Sequence, residues 1–137
     1  MNVCFTVPGK PQGKARPRFT RSDHTCHTYT PGSTAAYEEC VKLAYKQAGG
    51  GKLSGFVSAD ILAVFTVPKS YTKAQKAAAF DMRYVPKKPD CDNIAKIILD
   101  ALNGLAYDDD AQIVKLSVKK QYGIADHVTV TLEGGES

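Results

Sequence analysis

The sequence predicts a single α/β (α+β) domain over residues 1–137, a mixed β-sheet flanked by helices. Periodic apolar segments follow one another in the order β, α, β, α, α, β, β, the pattern of a sheet with helices packed on it. The 137 residues, 43% of them hydrophobic, suit one core of ordinary size. No internal repeat and no linker divides the chain.

Residues 2–7 are β-branched and aromatic enough for a first strand. Residues 8–32, rich in Pro, Gly, Arg and Thr, read as a long loop, and loops of that length are usually functional or disordered. Ser33 or Thr34 caps a helix reaching Ala48, with Tyr37, Val41, Ala44, Tyr45 and Ala48 near one face. Gly49-Gly50-Gly51 stops it. Residues 57–67 form a mostly buried strand ended by Pro68, and residues 72–80 an Ala-rich helix. A basic connector fills 82–89.

The next helix has the strongest pattern. Ile94, Ile97, Ile98, Ala101, Leu102 and Leu105 recur at helical spacing, with Asp92 placed to cap the start and Gly104 to end it. Asn93, Lys96, Asp100 and Asn103 fall on its polar side. Two alternating strands close the domain. In 113–122, Val114, Leu116 and Val118 should face the core, and in 127–133, Val128, Val130 and Leu132 should do so. The last residues, 132–137, read as a mobile tail.

No apolar run approaches the roughly 20 residues that span a bilayer. The start resembles a strand and no export signal is evident, so a cytoplasmic chain with free thiols at Cys4, Cys26, Cys40 and Cys91 is expected. His24-Thr25-Cys26-His27 lacks a second cluster to complete a tetrahedral zinc site and reads as plain loop.

Charge is unevenly spread. The chain is +4 overall. Residues 9–22 hold Lys10, Lys14, Arg16, Arg18 and Arg21 with no acid, and residues 67–88 hold six cations, Lys87 and Lys88 among them, against Asp81. Yet six of the ten aspartates lie between Asp90 and Asp110. Crowded carboxylates repel, and a hard cation such as Mg²⁺ or Mn²⁺ relieves them. Basic segments around an acidic knot suggest a protein that attracts a polyanion and cuts it with a metal.

Asp90-Cys91-Asp92 alone is a weak signal, since an N-cap and a helix-dipole acid explain it equally. Asp108-Asp109-Asp110 follows the helix. A 12-residue helix is about 18 Å long, so the two acid groups meet only if the next strand runs back or crosses near the helix entrance. Lys96 stands one turn beyond Asp92, either as a surface pair or as the group that steadies a scissile phosphate.

Together these residues resemble a known family. Lys88-Pro89-Asp90-Cys91-Asp92-Asn93-Ile94-Ala95-Lys96, then Asp100-Ala101-Leu102-Asn103-Gly104, then Asp109-Asp110-Ala111-Gln112-Ile113-Val114 resemble the core motifs of the RusA family of Holliday junction resolvases. The opening Val7-Pro8-Gly9-Lys10-Pro11 with Lys14-Ala15-Arg16-Pro17-Arg18 is similar to that of phage and prophage members. The resemblance implies a dimeric, Mg²⁺-dependent endonuclease, with Mn²⁺ as a substitute, that resolves four-way DNA junctions by paired symmetric nicks. It implies Asp90, Asp92 and Asp110 as metal ligands, Asp109 as a neighbour that tunes or joins them, and Lys96 as the essential lysine. Lys10, Lys14, Arg16, Arg18, Arg21, Lys87 and Lys88 are the expected DNA contacts. Pro89 departs from members that carry Arg directly before the first Asp, so the resemblance implies a phosphate contact that is shifted or supplied by a lysine, with Lys87 and Lys88 just before it.

Two other classes fit less well. A non-catalytic module binding branched DNA leaves the intact acid set unexplained. A transferase holding a nucleotide diphosphate wants a Gly-rich phosphate loop, and none is evident.

Overall fold

The computed structural model describes residues 1–14, 18–22, 25–29 and 32–136. Strand β1 spans Asn2–Pro8, and a hairpin of β2 (Arg18–Ser22) and β3 (Thr25–Tyr29) precedes helix α1 (Gly32–Gln47). Strand β4 (Leu53–Thr66), helices α2 (Lys73–Phe80) and α3 (Cys91–Leu102), a 3-10 turn (Asp110–Gln112), β5 (Ile113–Gly123) and β6 (His127–Glu136) complete the order.

The main sheet runs β1-β6-β4-β5, antiparallel except for the parallel β4–β5 pair. Alternation fixes its register. Val3, Phe5 and Val7 pair with Leu132, Val130 and Val128, and those three pair with Ala59, Ile61 and Ala63. All nine are buried on one face. Tyr37, Val41 and Tyr45 of α1 and Ile94, Ile97, Ile98, Ala101 and Leu102 of α3 share a single core with them. The opposite face carries polar groups such as Thr6 and Thr129, whose hydroxyls lie 3.4 Å apart.

Parallel β4 and β5 require a crossover, and α2 and α3 supply it. Helix α3 therefore runs against β5, and the strand leaving the acid triplet travels back past the start of α3. Cys91 Sγ accordingly reaches the carbonyl of Val118 in mid-β5, at 4.0 Å.

Several expectations are corrected. The long loop of 8–32 contains the β2–β3 hairpin, with Arg18 opposite Tyr29 and Phe19 opposite Thr28; its Thr, Phe and Tyr residues favour strand, and the flanking Pro and Gly obscured them. Helix α3 begins two residues earlier than the expected Asp92 cap implies. Asp90 occupies the N-cap, because its extended backbone offers the first helical acceptor, a carbonyl 3.0 Å from the Ile94 amide. Asp92 lies in the first turn, and Gly104 ends the segment with φ of 83°. Of the expected mobile tail, residues 132–136 lie in β6, with Glu136 opposite Leu53 and Gly134 meeting the Met1 backbone, while Ser137 lies outside the described residues. Val114 and Leu116 are 58% and 45% exposed rather than buried, because β5 is the edge strand and lies beyond full helical cover.

Candidate functional site

The acid-rich segment resolves into carboxylates with different tasks. Asp108 pairs with Lys52 at 2.8 Å. Asp109 caps the 3-10 turn, accepting from the Ala111 amide at 3.1 Å, while the side chain of Gln112 receives the Asp108 and Asp109 amides at 2.9 and 3.1 Å. The other end of Gln112 donates to the carbonyls of Leu53 and Gly55, fastening the turn to the start of β4. Asp110 is left with its carboxyl outside this scaffold.

Its electrostatics follow from that position. Asp109 is held below the usual carboxylate range, first by the Ala111 amide and then by a hydrogen bond with Asp110. Asp110 is pushed up, first by that hydrogen bond to Asp109, then by desolvation and by the charges of Asp109 and Asp100, with Lys96 opposing. Asp110 is thus a carboxyl in a crowded negative field, beside Lys96 and Asp100 across from α3.

On α3, Lys96 and Asp100 stand one turn apart at 3.2 Å. Asp100 also meets Lys14 at 3.4 Å, and Lys14 meets Glu38 of α1 at 3.1 Å. Burial acts to lower the pKa of Lys14, but Glu38 and Asp100 outweigh it and the net shift is upward. Lys14 was expected among the DNA contacts. Its side chain is only 18% exposed and its ammonium is engaged by two carboxylates, so it ties the N-terminal segment to α1 and α3.

That segment packs closely on the helix start. The Lys14 amide donates to the Asn93 carbonyl at 2.9 Å. A Cβ on Gly13 would lie 2.7 Å from Pro89 Cβ and 3.0 Å from Asn93 Cβ, so only glycine allows the approach. The two segments enclose a cavity of about 450 Å³ lined by Lys10, Lys14, Lys88, Asp90 and Asn93. Lysines around one carboxylate suit an anionic ligand that brings its own cation.

Asp90 and Asp92 are exposed, and Asp90 makes no side-chain cap bond although it holds the N-cap. Its carboxyl is therefore free of the usual structural duty. Asp92 precedes Asp100 by eight residues, about 12 Å along the axis. Asp110 is brought to the Lys96–Asp100 end, and Asp90 lies at the other. Among the described residues, no three His, Cys, Asp or Glu side chains converge on one point as a metal-holding group. The donors present nevertheless fit Mg²⁺ chemically: Asp90, Asp92 and Asp110 are exposed oxygen ligands, and Asp110 sits where added positive charge is favoured.

Lys87 and Lys88 are exposed beside Asp90. Arg18 and Arg21 lie on β2, and Arg16 lies outside the described residues, as does His24.

Sequence reasoning missed Lys120. Its ammonium donates to the carbonyls of Pro86, Lys87 and Pro89 at 2.7, 3.5 and 3.1 Å, clamping the connector that leads into Asp90 onto β5. Only its place among alternating lysines was visible in the sequence. Glu38, which steadies Lys14, carries no motif that would tie it to the site from sequence.

Exposed carboxylates flanked by cations, on a helix start backed by an edge strand, mark a protein that handles phosphate esters. The comparisons specify the class. A model described as endodeoxyribonuclease RusA matches residues 8–133, and the chain belongs to that family. A Bacillus subtilis (strain 168) protein, the uncharacterized protein YqaN, is 33% identical over 134 residues, covering 95% of this chain and 94% of its own.

Proposed function

We propose that this chain is a Mg²⁺-dependent endonuclease that, as a homodimer, resolves four-way DNA junctions by paired symmetric nicks. The observation that carries the reading is the division of labour among the acids. Asp108 and Asp109 are occupied by Lys52 and the turn, while Asp90, Asp92 and Asp110 remain for a cation. Membership of an endodeoxyribonuclease family supports DNA as the substrate. Among the described residues, no helix is long and apolar enough to cross a membrane.

In this reading Asp90 and Asp92 at the start of α3 would hold the ion, and Asp110, which lies by Lys96 and Asp100, would join them once the turn before β5 closes toward the helix start. Mg²⁺ held there, or Mn²⁺ in its place, would supply activation of a water and stabilisation of the leaving oxygen. Lys96, 63% exposed on its side chain, offers its ammonium to the scissile phosphate, where charge grows in the transition state. Asp100 orients that ammonium from one turn away. Asp109 lends or withholds a hydrogen bond to Asp110 and so tunes its readiness to bind. Lys10, Lys87 and Lys88 attract the backbone, as do Arg16 and the β2 residues Arg18 and Arg21. A homodimer supplies two equivalent sites for the symmetric junction.

The test uses a labelled four-way junction and a matched duplex, with Mg²⁺ or with EDTA. Paired nicks in the junction, absent in EDTA and absent in Asp110→Asn, are expected. Binding without any cut under Mg²⁺ or Mn²⁺ would replace this reading with the branched-DNA-binding module.

A further inference from the structure

We propose that a second cavity, walled by Tyr71 and Tyr84, receives an unstacked nucleobase from the strand whose backbone passes Asp90; the inference rests on DNA being the substrate. The cavity measures about 350 Å³ and is lined by Tyr71, Arg83, Tyr84, Val85 and Lys87. Its volume lies in the range of pockets that bury small planar ligands.

The walls are ordered. Tyr71 meets Tyr84 edge-on with centroids 5.7 Å apart, and Tyr122 of β5 backs it at 6.3 Å. Yet Tyr84 is 41% exposed and Val85 61%, so the mouth of the cavity presents ring and aliphatic surface to water. Every nucleobase has a π-face that can cover such a surface.

Charge selects the class of occupant. Arg83 and Lys87 stand at the rim, within the segment 67–88 that holds six cations against Asp81. An apolar peptide has no use for that field, whereas a nucleotide has both a flat base and a phosphate.

Location supplies the third argument. Tyr84 precedes Asp90 by six residues, at most about 20 Å of extended chain. Lys120 clamps the intervening carbonyls of Pro86, Lys87 and Pro89, so pocket and carboxylate are mounted on one braced segment. A strand lying along Lys87 and Lys88 places one base over the tyrosines and a phosphate a few nucleotides away at Asp90. The exchange point of a four-way junction is where stacking is interrupted and a base is cheapest to turn out.

The test measures junction affinity in EDTA, where no cutting occurs, for the full-length protein and Tyr84→Ala. Each is titrated with intact junctions and with junctions carrying one abasic position, scanned outward from the crossover. Tyr84→Ala should weaken binding to the intact junction about 5- to 100-fold, the span of one lost base stack. One abasic position should weaken the unmodified protein to the same degree, and there Tyr84→Ala should add nothing. Tyr84→Phe should bind as the unmodified protein does. Unchanged affinity of Tyr84→Ala, or the same loss on every abasic junction, overturns the pocket. If Tyr84→Ala lowers the melting temperature, Val85→Asp, with a negative charge at the mouth, gives the same readout. Base-dependent binding without cutting under Mg²⁺ would remove the nuclease reading and keep the pocket; cutting without base dependence would remove the pocket alone.

Discussion

Asp108, Asp109 and Asp110 are adjacent in sequence and chemically unlike. A surface ion pair such as Asp108–Lys52 contributes about 0–1 kcal/mol, so Asp108→Ala should leave both stability and cleavage nearly intact. Asp109→Ala removes the cap of the 3-10 turn and should lower the denaturant midpoint slightly, with a partial loss of cleavage through Asp110. On the proposed reading, Asp110→Asn should fold as well as the unmodified protein and lose cleavage more than about 100-fold. A stable, fully active Asp110→Asn would remove that residue from the site. Lys14 separates from its neighbours in the same way. Lys14→Ala leaves Glu38 and Asp100 without their shared cation and should cost about 1–3 kcal/mol of stability. The slope of log affinity against log salt should barely change for it, whereas Lys88→Ala should flatten that slope by about 0.9. The raised pKa of Lys14 fixes the direction with pH. Its contribution is complete below the ordinary lysine value of 10.5 and is lost as pH rises through the higher folded value, so Lys14→Ala should blunt the alkaline loss of stability seen by circular dichroism.

At the scale of elements, the site depends on α3 and β5 running in opposite directions. The strand brings Lys120 to the helix entrance, and Lys120 holds three carbonyls of the connector. Lys120→Met keeps the stem and deletes the donors. It should raise hydrogen exchange in 86–90 and shift the Mg²⁺ midpoint for cleavage upward about 10-fold, while junction affinity in EDTA stays within a factor of two. Unchanged exchange and midpoint would reduce Lys120 to a surface lysine. The sequence made α3 legible because six apolar residues repeat at helical spacing, leaving Lys96 and Asp100 together on the polar side. Alternation likewise exposed β1 and β6. The β2–β3 hairpin escaped notice because Pro and Gly dominate its surroundings. The exposure of Val114 and Leu116 escaped because alternation states which residues share a face, not whether anything covers it. Lys120 could not be found at all: its partners are backbone carbonyls, which leave no mark in residue identity, and they lie more than 30 positions away.

At the scale of the molecule, one chain carries one set of Asp90, Asp92, Lys96 and Asp110, while resolving a junction requires two opposed cuts. Two separate monomers could each nick one strand, but nothing would then link the second nick to the first. A C2 dimer makes the link geometric, because its axis coincides with that of the junction. The net charge of +4, concentrated in the segments 9–22 and 67–88, would be doubled across such an assembly and favour a ligand with four converging backbones. Mixed dimers decide the matter. Differently tagged unmodified and Asp110→Asn chains, exchanged and purified through both tags, should bind a junction as tightly as the unmodified dimer. On a supercoiled plasmid with an extruded cruciform they should yield nicked circles and almost no linear product. The unmodified dimer should yield linear product, since its second cut falls within the lifetime of the same complex. Linear product from the mixed dimer at the unmodified rate would show that one intact site makes both cuts. Failure to isolate any doubly tagged species, with a monomer mass at micromolar concentration, would remove the dimer and with it the symmetry assigned to the nicks.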